Sequence, residues 1–194
     1  LRGKSSIDFI DTGEWSKKSI KEAKKYAAVN VAASAAATGY DRIPARASWQ
    51  LDPNAAYVHI CSNETIGGVE YHFTPEVGDV PLVADMSSDI LSRPIDIAKY
   101  GLIYAGAQKN IGPAGLVVVI VREDLIGRAR AGTPLVWDYA AMAKDGSMLN
   151  TPPTFGWACA ICPHPAPRRI HCSSAPTRSP VSTSSSRHRA DRGR

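Results

Sequence analysis

A chain of 194 residues with 44% hydrophobic content is long enough for one domain with a sizeable core. The formal net charge of +5 is uneven: from Gly156 onward there are seven arginines, no lysine and a single acid, Asp191, while the remainder is close to neutral. The basic balance therefore gives no ground for a nucleic-acid partner of the folded part, no run of about 18 apolar residues marks a transmembrane helix, and no membrane partner is expected. Leu1-Arg2-Gly3-Lys4 has neither an initiator Met nor the apolar core of a signal peptide behind it, so the chain is expected to start inside a longer protein. Only Cys61 lies in the globular-looking part, which suits a reducing, cytoplasmic compartment.

In chain order, Ile7-Asp8-Phe9-Ile10-Asp11 alternates and reads as a short strand ending at Thr12-Gly13. Ser16 to Lys25 reads as a helix, with Ser16 as its N-cap and lysines late in the segment. Ala28-Val29-Asn30-Val31 fits the next strand, and residues 32–48 carry no clear element. Ala55 to Cys61 is a strand with Ser62-Asn63-Glu64-Thr65 at its end, and Gly67-Gly68 opens a loop. Pro81-Leu82-Val83-Ala84-Asp85 is a strand ending on an acid. Gly101 to Ala105 and Leu116 to Val121 are continuous apolar runs that fit strands covered on both faces. Arg122 to Arg130 reads as a short helix, acidic early and basic late, and Asp145-Gly146 as a turn. Strands interleaved with helices predict an α/β fold with a central, mostly parallel sheet flanked by helices. From Gly156 to Arg194 the chain turns to Ser, Pro, Arg and His without apolar periodicity, the composition of a low-complexity tail that is disordered or read out of frame.

In such sheets ligands bind at the strand ends. Thr65, Asp85 and Lys109 all fall at or just after the end of a predicted strand. A lysine on a short connection between buried strands either snorkels to water or has its amine put to use. Lys109 with Asp85 fits a pyridoxal phosphate site: the lysine forms a Schiff base with the cofactor aldehyde, and the acid keeps the pyridine nitrogen protonated so that the ring accepts electrons. A hydroxyl such as Thr65 near the phenolate would complete the polar contacts. Lysine and aspartate at strand ends are also ordinary solvated loop residues. Gly106, Gly112 and Gly115 do not form a nucleotide-binding loop, because Lys109 precedes Gly112. In the tail, Cys159-Ala160-Ile161-Cys162 with His164, His171 and Cys172 offers zinc-type ligands at an irregular spacing crowded by prolines, and no metal centre is expected.

The stretch from Tyr104 to Gly115, Y-A-G-A-Q-K-N-I-G-P-A-G, resembles the cofactor-lysine segment of the phosphoserine aminotransferases, pyridoxal-phosphate enzymes of the aspartate-aminotransferase fold (fold type I) and the class-V aminotransferase family. Further stretches agree in the same order: Gly13-Glu14-Trp15 with Ile20 to Tyr26, Cys61 to Ile66, Ala84 to Ser88 with Leu91 to Asp96, and Asn150 to Phe155. The resemblance covers residues 1 to about 155 and implies part of the large cofactor-binding domain there, with the tail at 156–194 outside it. It implies Lys109 as Schiff-base lysine and proton-transferring base, Asp85 at the pyridine nitrogen, Thr65 at the phenolate oxygen, Trp15 stacked on the ring and Gln108 at the cofactor phosphate. Asn150 and Thr151 would reach the phosphate in the neighbouring subunit, so a homodimer with shared sites is implied. Taken singly, Trp15 is as readily a core or rim aromatic, Thr65 a cap, and Asn150-Thr151 before two prolines a loop. The implied reaction is amino transfer between L-glutamate and 3-phosphohydroxypyruvate, giving O-phospho-L-serine in serine biosynthesis. Family members are longer at both ends and carry their substrate-gripping arginines there. Impaired activity is therefore expected, the alternative being an inactive fragment that only dimerises with a full-length subunit.

Overall fold

The computed structural model describes residues 3–161. Eight strands and three α-helices run in the order β1 (Ser6–Asp11), α1 (Glu14–Ala23), β2 (Ala28–Ser34), β3 (Val58–Cys61), β4 (Asn63–Glu64), β5 (Val69–Glu70), β6 (Leu82–Asp85), β7 (Leu102–Gly106), β8 (Val117–Val121), α2 (Tyr139–Lys144) and α3 (Thr154–Ile161). The main sheet has six strands in the order β2-β1-β3-β6-β7-β8, parallel throughout except for the antiparallel β7–β8 pair at one edge. A separate two-stranded hairpin, β4–β5, turns through Gly68, whose φ of +77° is the left-handed conformation that glycine adopts without a Cβ penalty.

The pleat sends alternate residues to opposite faces. On one face Ile10, Val58, Ile60, Leu82, Ala84, Ile103 and Ala105 build the larger core with Trp49, Tyr71, Met86, Ile90 and Tyr100. On the other, Ile7 and Phe9 pack against Ile20 of α1. The alternating acids of β1 do not face water. Asp8 is fully buried, its carboxylate accepting from Asn30 Nδ2 at 3.0 Å and from the Asp52 amide at 2.6 Å. Asp11 accepts from the Ser34 and Tyr40 hydroxyls. Each acid is thus satisfied where an unpaired one would be costly.

Three expectations need correction. The helix predicted over 122–130 is a single 3-10 turn, Glu123–Leu125. Leu125 and Ile126 are adjacent rather than three or four apart, so the segment has no apolar stripe to bury, and Gly127 at φ +75° ends it. Helix α1 starts at Glu14 with Gly13 as N-cap, and Ser16 lies inside it. The 116–121 run forms β8 as expected but is not covered on both faces: Val117 is 65% exposed. Helix α3 continues past residue 155, where the sequence changes character, and Gly156 is buried there against the 114–116 loop.

Candidate active site

Four neighbouring parallel strands, β1, β3, β6 and β7, deliver Trp15, Thr65, Asp85 and Lys109 from their C-terminal ends. After β1 the chain turns at Thr12-Gly13 into α1, and Trp15 sits in the first helical turn. After β3 the chain enters the β4–β5 hairpin, and Thr65 follows β4 directly. Asp85 closes β6, with Cys61 of β3 and Tyr104 of β7 as its register partners. Lys109 stands three residues after β7, on the connection to β8.

Lys109 is exposed rather than buried, so the cost of burial does not arise. Its Nζ donates to Thr65 Oγ1 at 2.6 Å and lies 4.3 Å from the centre of the Trp15 ring. Lys18 Nζ lies 4.4 Å from the same ring. Both ammonium groups gain from the electron-rich indole face. The indole Nε1 is buried with no hydrogen-bond partner among the described residues. Gln108 is exposed beside Lys109, with its side chain folded back over Gly106.

Asp85 is half-buried and is held by its own loop. Its Oδ1 accepts from the Ser87 hydroxyl at 2.7 Å and the Ser87 amide at 3.0 Å. Ser87 Oγ in turn accepts from the Gly106 amide at 3.0 Å, tying the end of β6 to the end of β7. No hydrogen bond engages Asp85 Oδ2 among the described residues. On the neighbouring strand β3, His59 stacks on Phe9 at 4.6 Å, and its Nε2 is 3.0 Å from the Tyr104 hydroxyl. Burial pushes the imidazole down from 6.5 to about 4, against the pull of the Asp85 charge, and raises the Tyr104 phenol.

The structure thus brings Trp15, Thr65 and Lys109 together, with Asp85 at the adjoining strand end. It does not join Asn150 and Thr151 to them: both are exposed, and no hydrogen bond or ion pair links them to the cluster among the described residues. Their segment is nonetheless anchored to the lysine loop, since a Cβ on Gly115 would lie 3.1 Å from Pro153 Cγ. Sequence reasoning missed Ser87 and Glu64. The Asp-x-Ser spacing at 85–87 was a usable signal, because such a serine closes a local turn on the acid. Glu64 gave none, because its partners are the amides of Trp15 and Ser16, 49 and 48 residues away. Of the zinc-type ligands, Cys162, His164, His171 and Cys172 lie outside the described residues.

Residues 1–160 match the family model for class-V aminotransferases. The chain belongs to the class-V aminotransferase family. It is 64% identical over 150 residues to the phosphoserine aminotransferase of Ectopseudomonas mendocina, a match covering 77% of this chain and 42% of that protein. The same identity and coverage relate it to the phosphoserine aminotransferase of Pseudomonas aeruginosa. It therefore spans less than half the length of these relatives. Among solved structures, phosphoserine aminotransferase from Bacillus circulans subsp. alkalophilus superposes with a TM-score of 0.78 at 47% identity, over 80% of this chain and 43% of that one. A pyridoxal-phosphate-bound phosphoserine aminotransferase from Trichomonas vaginalis gives 0.75 at 42% identity, over 81% and 45%. The sheet is accordingly that of the pyridoxal-phosphate-dependent aminotransferases, as the sequence led us to expect.

Proposed function

We propose that the chain carries the cofactor-binding floor of a phosphoserine aminotransferase, which transfers an amino group between L-glutamate and 3-phosphohydroxypyruvate to give O-phospho-L-serine. The observation that carries this is the meeting of an amine, a hydroxyl and an indole face at Lys109, Thr65 and Trp15, with the Asp85 carboxylate on the next strand end. The donor set fits pyridoxal phosphate: an amine for the aldehyde, a hydroxyl for the phenolate, an acid for the pyridine nitrogen, and an indole face for a flat ring. When bound, that cofactor supplies an electrophilic carbon for amines and a ring that takes up electrons.

Lys109 Nζ would be the anchoring amine and the base that takes the proton from the amino-acid Cα. Thr65 Oγ1 bonds Lys109 Nζ here and would turn to the phenolate. Asp85 has Oδ2 available to hold a proton at the pyridine nitrogen, while Ser87 fixes Oδ1. Trp15 would cover the ring, and Gln108 would hold the phosphate. Asn150 and Thr151 stand exposed and apart from this cluster, which supports their use in a neighbouring subunit's site and hence a homodimer. The relatives' names support the substrates, and a buried free thiol at Cys61 suits the cytoplasm.

The test is single-turnover amino transfer. The purified chain with pyridoxal phosphate and glutamate should yield 2-oxoglutarate, and O-phosphoserine on adding phosphohydroxypyruvate. Turnover unchanged in Lys109→Ala would sink the assignment. A chain that is inert alone, yet co-elutes with a full-length subunit, would favour the purely dimerising alternative.

A further inference from the structure

Glu64 is fully buried, and both of its oxygens are engaged by backbone amides of α1. Oε2 accepts from Trp15 N and Oε1 from Ser16 N, each at 2.8 Å. These are orphan donors of a helix N-terminus, where negative charge is favoured. Glu64 is also the residue before Thr65, so one side chain fastens the turn that carries Trp15 to the hairpin that carries Thr65. Gly13 completes the contact. Its φ of 163° is extended backbone open to any residue. A Cβ there would lie 2.7 Å from Glu64 Cδ and 2.9 Å from Cγ and Oε2, so its three nearest neighbours all belong to the Glu64 side chain.

We propose that Glu64 and Gly13 act as a coupled pair that positions Trp15 against Thr65 and Lys109, fixing where the indole face lies for the cofactor ring. Glu64 is a positioning residue: it acts through the amides of Trp15 and Ser16 and through Thr65. The pairing rests on the cofactor reading above for its purpose, but its geometry stands without it.

The experiment is a double-mutant cycle on the full chain with Glu64→Ala, Gly13→Ala and the double variant. Two readouts are taken well below the unfolding temperature: the amide proton shifts of Trp15 and Ser16 without cofactor, and pyridoxal phosphate affinity from its absorbance. Each single variant should move both amide protons upfield and weaken cofactor binding by about tenfold or more, the scale of a lost charge-assisted bond. The double variant should bind no more weakly than Glu64→Ala, because truncation makes room for the added methyl. Losses that multiply, or amide protons that stay in place, overturn the pairing.

Conservative variants separate positioning from charge. Glu64→Gln keeps the shape and one acceptor and should be intermediate. Glu64→Asp keeps the charge without the reach and should behave like Glu64→Ala; full rescue by it overturns the proposal. If Glu64→Ala does not fold, the Gln variant carries the cycle under the same criteria. A wild-type chain that binds no pyridoxal phosphate refutes the cofactor reading alone, and the amide shifts still decide whether Glu64 and Gly13 are coupled.

Discussion

His59 is a titratable group whose protonation the fold shifts within an accessible pH range. Buried between Phe9 and Tyr104, it is held neutral, its pKa lowered from 6.5 to about 4 by desolvation. The unfolded chain takes up this proton below about 6.5, and the folded chain does so only near 4. Its contribution to stability is therefore complete above pH 6.5, falls as the pH drops towards 4, and is flat below. The loss should be of order 3 kcal/mol. Denaturant unfolding at several pH values should show it, and His59→Gln should flatten the curve over that window. Parallel curves for the two chains would show that His59 is not desolvated. At this scale Thr65, Asp85 and Lys109 were legible because each follows a strand whose apolar run is plain in the sequence. Glu64 was not, because its work is done on backbone amides that sequence patterns do not mark.

Among the elements, the β4–β5 hairpin depends on a polar clamp. Arg93 donates to Glu70, to the Tyr71 carbonyl and, at 3.3 Å, to Asp89 Oδ2, while the Ser62 hydroxyl holds Asp89 Oδ1 at 2.5 Å. The clamp ties the hairpin bearing Thr65 to the loop that follows Asp85. Burial raises the Asp89 carboxyl, and Arg93 and Ser62 oppose that rise. Arg93→Met leaves Asp89 buried without its cation and should cost about 3 kcal/mol. Amide exchange should rise in β4–β5 while the exchange of β3 and β6 changes far less; uniform acceleration across the sheet would contradict a local clamp. Strand β7 is fitted as closely, since a Cβ on Gly101 would lie 2.7 Å from Pro81 Cβ. Gly101→Ala should destabilise by about 1–3 kcal/mol in thermal unfolding. The parallel strands were readable from their apolar runs. The missing 122–130 helix was not, because charges placed to suit a helix dipole do not make a helix without an apolar face.

Among the described residues, several large apolar side chains stand exposed, as interaction surfaces do. Val117 on edge strand β8, and Leu135, Val136, Trp137, Phe155 and Trp157 beyond it, are all exposed. Among the described residues no strand pairs with the outer edges of β2 and β8. We expect concentration-dependent association in sedimentation velocity, weakened by Trp137→Ser with Phe155→Ser. A concentration-independent monomer would show that these side chains find cover within the chain. The α/β architecture was legible at this scale; an apolar run such as 116–121 predicts that a strand is covered, and not which partner covers it.

The central claim is that Lys109 is the amine that holds the cofactor. The full chain is incubated with pyridoxal phosphate, reduced with borohydride, digested, and its peptides weighed. One phosphopyridoxyl group on the peptide containing Lys109, lost in Lys109→Ala without transfer to Lys18, is the predicted result. Label spread over surface lysines, or unchanged labelling of the Lys109→Ala chain, would contradict it.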